Sequence, residues 1–238
     1  MKKYILISLI ILSACQTDND KFYLQKGDLL FQDLDSSPLC DAIEIVTPGY
    51  KGANLSHVGI IIEDEIPFCT NPDNKFEDKY FYNIKQNVKV LEALPGGVKI
   101  TKLDSFLNRS FDNENNPKVI VARVKKQYKH NINDAISFLK KKIGTQYDHA
   151  FIINNNMYYC SELIYEAFLN DSIFELKPMT FLNPETGDTL QVWKDYYTDL
   201  GMKIPQNEPG INPGIMSLSE NIDIVHIYGS PDGIQINQ

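Results

Sequence analysis

The chain has 238 residues, 43% of them hydrophobic and 23% charged, with a formal net charge of −8 at neutral pH. That length supports one sizeable domain, or one domain with insertions, and the acidic balance argues against a nucleic-acid partner. Its four cysteines include no CxxC pair and its four histidines are scattered, so no structural zinc site is expected.

The leader "MKKYILISLIILSAC", residues 1–15, carries two lysines, an apolar run from Tyr4 to Leu12 and small residues before Cys15. This is the pattern of a signal peptide, too short for a membrane span. Leu12-Ser13-Ala14-Cys15 resembles the lipobox of bacterial lipoproteins, which implies cleavage at that point and a lipid anchor on Cys15. Because Gln16 and not aspartate follows, the same resemblance implies the outer membrane of the cell envelope. Residues 16–25 read as a polar tether, and residues 26–238 as the domain. Beyond Cys15 only Cys40, Cys69 and Cys160 remain. An exported chain with an odd number of cysteines leaves at least one thiol without an internal partner. No repeat or low-complexity tract is present.

Within the domain, "KGDLLFQD" (26–33) predicts a turn and a short strand, and "PLCDAIEIVT" (38–47) a helix with Cys40 on its apolar side. The β-branched run "SHVGIIIED" (56–64) predicts a buried strand with His57 at its entrance. "KVLEALPGG" (89–97) predicts another strand ending in a Pro-Gly-Gly turn, and "KVIVARVK" (118–125) a third. "NINDAISFLKKKIG" (131–144) has an Asn cap, a cationic last turn and a terminal glycine, the marks of a helix. A second helix, "MYYCSELIYEAF" (157–168), follows. From Asn170 the chain is rich in Pro, Gly and Asn, with one amphipathic piece around "TLQVWKDYYTDLG". "IDIVHIYG" predicts a final strand that closes the sheet. Strands before and after a helical pair imply an α+β fold and not a doubly wound parallel sheet.

Cys160 poses the central question. Apolar residues at Cys160, Leu163, Ile164, Ala167 and Phe168 follow helical spacing, the pattern of a cysteine that packs. Yet the helix is expected to begin within a residue or two of Cys160, where the helix dipole and free N–H groups favour a thiolate and could receive an oxyanion. His57 is a candidate base, against the commoner fate of a histidine capping a strand. Glu92 shares a strand face with Val90 and Leu94, so its carboxylate either points toward an apolar side or reaches solvent at a sheet edge.

"GDLLFQ", "SHVGII", "VLEALPGGV", "GTQYDHAF" and "YYCSELIYEAF" occur in the order that resembles the YiiX/YebB-like family. That family is a circularly permuted, papain-like branch of the NlpC-type cysteine hydrolases. Gly144-Thr145-Gln146-Tyr147 and Tyr159-Cys160-Ser161-Glu162 look like two pieces that come first in unpermuted members and here follow the histidine strand. The likeness runs from about residue 26 to 217, counting "WKDYY" and "GINPGIMS". It implies an α+β, permuted papain-like fold whose antiparallel sheet packs against the nucleophile helix. By position it implies Cys160 as nucleophile, His57 as general base, Glu92 as the residue that orients the histidine, and Tyr147 as a donor to the substrate carbonyl or oxyanion. Asp28 matches the family's "GD" and reads as a turn residue.

The implied activity is cysteine hydrolase chemistry on an amide bond through an acyl-enzyme, with no metal or cofactor required. An envelope anchor points to peptidoglycan-type peptides. N-acyl or lipid-like amides and esters are the alternative substrates, and a non-catalytic lipoprotein that binds without turnover is the alternative class.

Overall fold

Alternation along the strands sets the architecture. In β2 (His57–Glu63), Val58, Ile60 and Ile62 face one way and join Leu29, Phe31 and Leu91 in the larger core. Ile61 faces the other way, with Leu30, Val90 and Phe106 in a second core. A strand buried on both faces must be β-branched at nearly every position, which explains the run "VGIII". Complete burial of a side chain such as Ile60 is worth about 1.5–3 kcal/mol, so a register slip would be strongly opposed.

This computed structural model describes residues 22–63 and 87–235. The leader with Cys15 and the segment with Cys69 lie outside the described residues. The other strands of the main sheet are β1 (Leu29–Gln32), β3 (Lys89–Leu94), β4 (Gly97–Lys102), β5 (Val119–Val124) and, late in the chain, β8 (Ile222–Tyr228). Their order is β4-β3-β2-β1-β5-β8 and every pairing is antiparallel. The helices are α1 (Pro38–Val46), α2 (Leu103–Leu107), α3 (Ile132–Lys141), α4 (Cys160–Ala167), α5 (Gln191–Asp199) and α6 (Pro213–Ser217). A two-stranded ribbon of β6 (Lys177–Pro178) and β7 (Pro209–Gly210) completes the described elements. The α4 helix packs on β2 and β3, so the α+β expectation of an antiparallel sheet against the nucleophile helix holds.

Several local readings change. The expected Pro-Gly-Gly turn ends β3 at Leu94, and what it adds is β4, which pairs with β3 along its whole length. Asn131 stands at the start of α3, yet its side chain does not cap the helix; its amide donates to the Asp171 carboxylate instead. Cys40 is only partly buried and sits beside the Ser36 and Ser37 hydroxyls, 3.4 and 3.5 Å away. Phe22 and Leu24, in the segment read as a tether, rest against the second face of the sheet, where Phe22 stacks on His226. Asp28 accepts the Gln25 N–H at 2.7 Å, as a turn residue should, and also takes both arms of Arg123. No helix among the described residues is long and apolar enough to cross a membrane.

Gly97 joins the two halves of the molecule. Its φ of 108° is open to glycine, and a Cβ there would lie 2.5 Å from the Thr145 carbonyl. That closeness lets residues 144–145 dock on β4, with Val98 N–H donating to Thr145 and Gly144 N–H to Val98, both at 2.9 Å.

Candidate active site

The helix that bears Cys160 starts where the sequence places it. Tyr159 is extended (φ −92°, ψ 170°) and α4 begins at Cys160, whose side chain is buried among core residues. The preceding loop is bent by Asn154 and Asn156 in left-handed conformations, which asparagine tolerates best among residues with a side chain. Buried Glu162 accepts the backbone N–H groups of Tyr159 and Asn154, at 3.4 and 3.3 Å. Burial raises its carboxyl to about 8, overriding those two N–H groups, so the helix start is not already neutralised by a carboxylate at neutral pH.

His57 opens β2 and is fully enclosed. Its Nε2 meets Glu92 Oε2 at 2.7 Å, and the Cys160 side chain is the first of the groups that raise its pKa against burial. Glu92 is completely buried on the face that carries Val90, so the solvent-edge alternative fails. Gly59 makes room for it: a Cβ there would come within 2.6 Å of Val90 and 3.5 Å of the Glu92 Cβ. Burial opposes charge on both groups. The Cys160 and Glu92 contacts nevertheless raise His57 to about 9, and the Arg109 and His57 contacts hold Glu92 well below the usual carboxylate range.

Arg109 is the participant that the sequence does not announce. Its two arms meet Glu92 Oε2 at 2.7 Å and Oε1 at 2.6 Å, the bidentate geometry that fixes a carboxylate. Short α2 brings it there, and Gln32 Nε2 holds the Phe106 carbonyl at 2.9 Å to seat that helix. The Phe106 ring lies between the two, 5.7 Å from the His57 ring and 5.2 Å from the Arg109 guanidinium. Nothing in "FLNRSF" has a periodicity that marks the arginine; only the rule that a buried carboxylate needs a cation could have prompted a search for it.

Tyr147 reaches the site from the docked 144–147 segment, which bridges to Tyr158 beside the nucleophile. Burial, and then Cys160, push its phenol well above the ordinary value, so it is a proton-bearing donor at neutral pH. Tyr147 and Cys160 share a cavity of about 70 Å³ whose walls include Ile43, Met179, Phe181, Trp193 and Ile211. The aromatic side of that wall is held by α5, where Tyr196 and Tyr197 hydroxyls donate to the carbonyls of His149 and Ala150.

A second buried ionic group lies at the neighbouring strand ends. Lys118 Nζ stands 3.0 Å from Asp33, 2.7 Å from Asp35 and 3.1 Å from Asp232. These three carboxylates are the group among the described residues that could gather around a cation, and the Lys118 ammonium already lies among them.

Three comparisons bear on this arrangement. The family model described as the permuted papain-like amidase enzymes, YaeF/YiiX, C92 family, matches residues 23–226. No curated protein matches the sequence. A crystal structure described as that of the metalloprotein yiiX from Escherichia coli O157:H7 is similar in fold, with a TM-score of 0.63 at 22% identity over 86% of this chain and 98% of that one. With the family match running from before β1 into β8, the chain belongs to the permuted papain-like amidases of the YaeF/YiiX, C92 family.

Proposed function

We propose that this protein hydrolyses an amide bond through an acyl-enzyme on Cys160, with peptidoglycan-type peptides as the substrate class. The observation that carries the reading is the hydrogen-bonded line from Arg109 through Glu92 to His57, an imidazole whose pKa Cys160 helps to raise. In the reaction the proton of the Cys160 thiol is already held on His57, and the sulfur attacks the carbonyl carbon as a thiolate. The Cys160 N–H and the Tyr147 hydroxyl receive the oxyanion. Collapse breaks the C–N bond as His57 protonates the departing amine; water, deprotonated by His57, then releases the acid and restores the thiolate. Glu92 holds the imidazolium that exists between these steps, and Arg109 keeps Glu92 ionised. Hydrolysis of N-acyl amides or acyl esters is the second reading, and the apolar cavity beside Cys160 favours it for short acyl groups.

Product analysis tests the proposal. The purified protein should release new amino groups from peptidoglycan fragments or from N-acyl amino acid lipids, and Cys160→Ala should release none. Rapid labelling of Cys160 by a thiol probe near neutral pH is expected of a nucleophile, and slow labelling would favour the binding-module reading. The envelope anchor is proposed on the lipobox likeness. Cys15→Ser should free the protein from the membrane fraction or leave the leader uncleaved, and an acylated, membrane-bound mutant would refute the anchor.

A further inference from the structure

The cavity at Cys160 has a direction. Cys160 and Tyr147 line it, whereas His57 does not. A leaving amine must lie within reach of His57 to be protonated. The group that stays on the sulfur therefore lies on the side away from His57, in the cavity. The chemistry of the cavity thus reads out the acyl half of the substrate and leaves the amine half unrestricted.

None of the lining residues is charged. Three of its polar side chains are committed within the fold, whereas the buried Trp193 indole N–H has no partner among the described residues. Thr47 donates to the Ile43 carbonyl at 3.0 Å, Asn212 accepts the Ile215 N–H at 2.8 Å, and Ser161 donates to the Ile211 carbonyl at 2.9 Å. What remains to meet a ligand is aliphatic and aromatic surface, Ile43, Val46, Met179, Phe181 and Ile211, together with the neutral N–H of Trp193. A carboxylate placed there would lose its hydration and meet neutral donors but no cation. The volume, about 70 Å³, is roughly half of the ~150 Å³ that admits a benzene ring, so a group of about three to four carbons fits. Met179 lies close against Gly210, where a Cβ would come within 2.4 Å of it.

Resting on the acyl-enzyme reading above, we infer that Cys160 accepts a small, uncharged aliphatic acyl group, such as a branched short-chain acyl or an apolar aminoacyl residue. Acyl groups ending in a carboxylate and long unbranched chains are excluded. For an envelope peptide, the cleaved bond then follows a small apolar residue and not an acidic one.

The test holds the leaving group constant and varies the acyl group. Isovaleryl, succinyl and dodecanoyl p-nitroanilides are compared by kcat/KM, and the acyl adduct on Cys160 is followed by mass spectrometry. Isovaleryl should exceed succinyl by about 10²-fold and dodecanoyl by about 10-fold, the scale set by a few methylenes and one unpaired charge. Met179→Ala, at a partly exposed lining position, should move the preference toward dodecanoyl, and Ile43→Ala, also in the lining, should do the same. Equal rates for isovaleryl and succinyl, with adducts forming on Cys160, would overturn the assigned acyl class and leave the mechanism standing. A dodecanoyl preference in the unaltered protein would overturn the size limit. Absence of any acyl adduct would sink the acyl-enzyme reading, and the inference with it.

Discussion

Arg109–Glu92–His57 and Lys118 with its three aspartates are both ionic clusters fixed by the main sheet, and each centres on a fully or almost fully buried side chain. They differ in how they end. Lys118 spends its charge on Asp33, Asp35 and Asp232, and the cluster closes on itself. Glu92 has a guanidinium on one side and an imidazole on the other, and that imidazole still has a nitrogen to give to Cys160. The closed cluster ties strand ends to a loop and to the C-terminal segment. The open one can pass a proton. Buried charge alone therefore does not mark a site; an unclosed chain of partners does.

The sharpest way to break the comparison is to remove the open end. Cys160→Ala and His57→Ala should each lower kcat/KM by about four orders of magnitude or more, while melting temperatures in circular dichroism stay close to that of the unaltered protein. Activity surviving in His57→Ala would mean that the open cluster is not the machinery.

Next come the two groups behind His57. A folded pKa of about 9 keeps the imidazolium populated below that pH, so the alkaline limb of kcat/KM should fall there. Glu92→Gln removes the anion that holds the imidazolium; the limb should move down and the rate fall on the order of 10²-fold. Arg109→Gln removes a competing cation from the same carboxylate, so the limb should move up. If both variants shift the limb in one direction, the competition for Glu92 is not real.

Lys118→Met tests the closed end. It leaves Asp33 buried beside two like charges, a loss of about 3 kcal/mol in urea unfolding at neutral pH. The deficit should shrink on acidification as the carboxylates take up protons, and kcat per folded molecule should not change. A large drop in kcat would show that the two clusters communicate.

A smaller effect is expected at Glu44, a buried carboxyl next to Ser56. Burial first, then Asp33 and Asp41, raise it to about 7 from 4.5, with Ser56 opposing. A raised carboxyl pKa means that stability is lost as pH rises from the unfolded value through the folded one. Glu44→Gln should therefore stabilise by about 2 kcal/mol at mildly alkaline pH and by almost nothing at about pH 4. The least effect belongs to Cys40→Ala. Cys40 is partly exposed, so we expect less than about 1 kcal/mol in stability and an unchanged rate.

What was legible in the sequence follows from how each feature is encoded. β2 is readable because both of its faces are core, and α4 because apolar spacing begins at the cysteine itself. β4 escaped because Lys99 and Lys102 are exposed on a sheet edge, which leaves "GVKITK" with no apolar run. The α2 helix has five residues, too few for a period to emerge. Asn131 had the right type for a cap, but a distant aspartate claimed its amide. Arg109 was invisible for a similar reason, since its partner is a carboxylate on another strand and no local pattern records that pairing. Local rules see periods and caps; they do not see which distant group completes a charge.

The docking of residues 144–145 on β4 also orders events in time. His57 and Glu92 lie on strands that can pair while the chain is still being made, because β1 to β4 are consecutive and antiparallel. The nucleophile is supplied only later, after a long loop has been closed onto the Val98 edge. A nascent chain that stops short of residue 160 carries His57 and Glu92 without Cys160, so under the proposed mechanism hydrolysis must wait until α4 has been made.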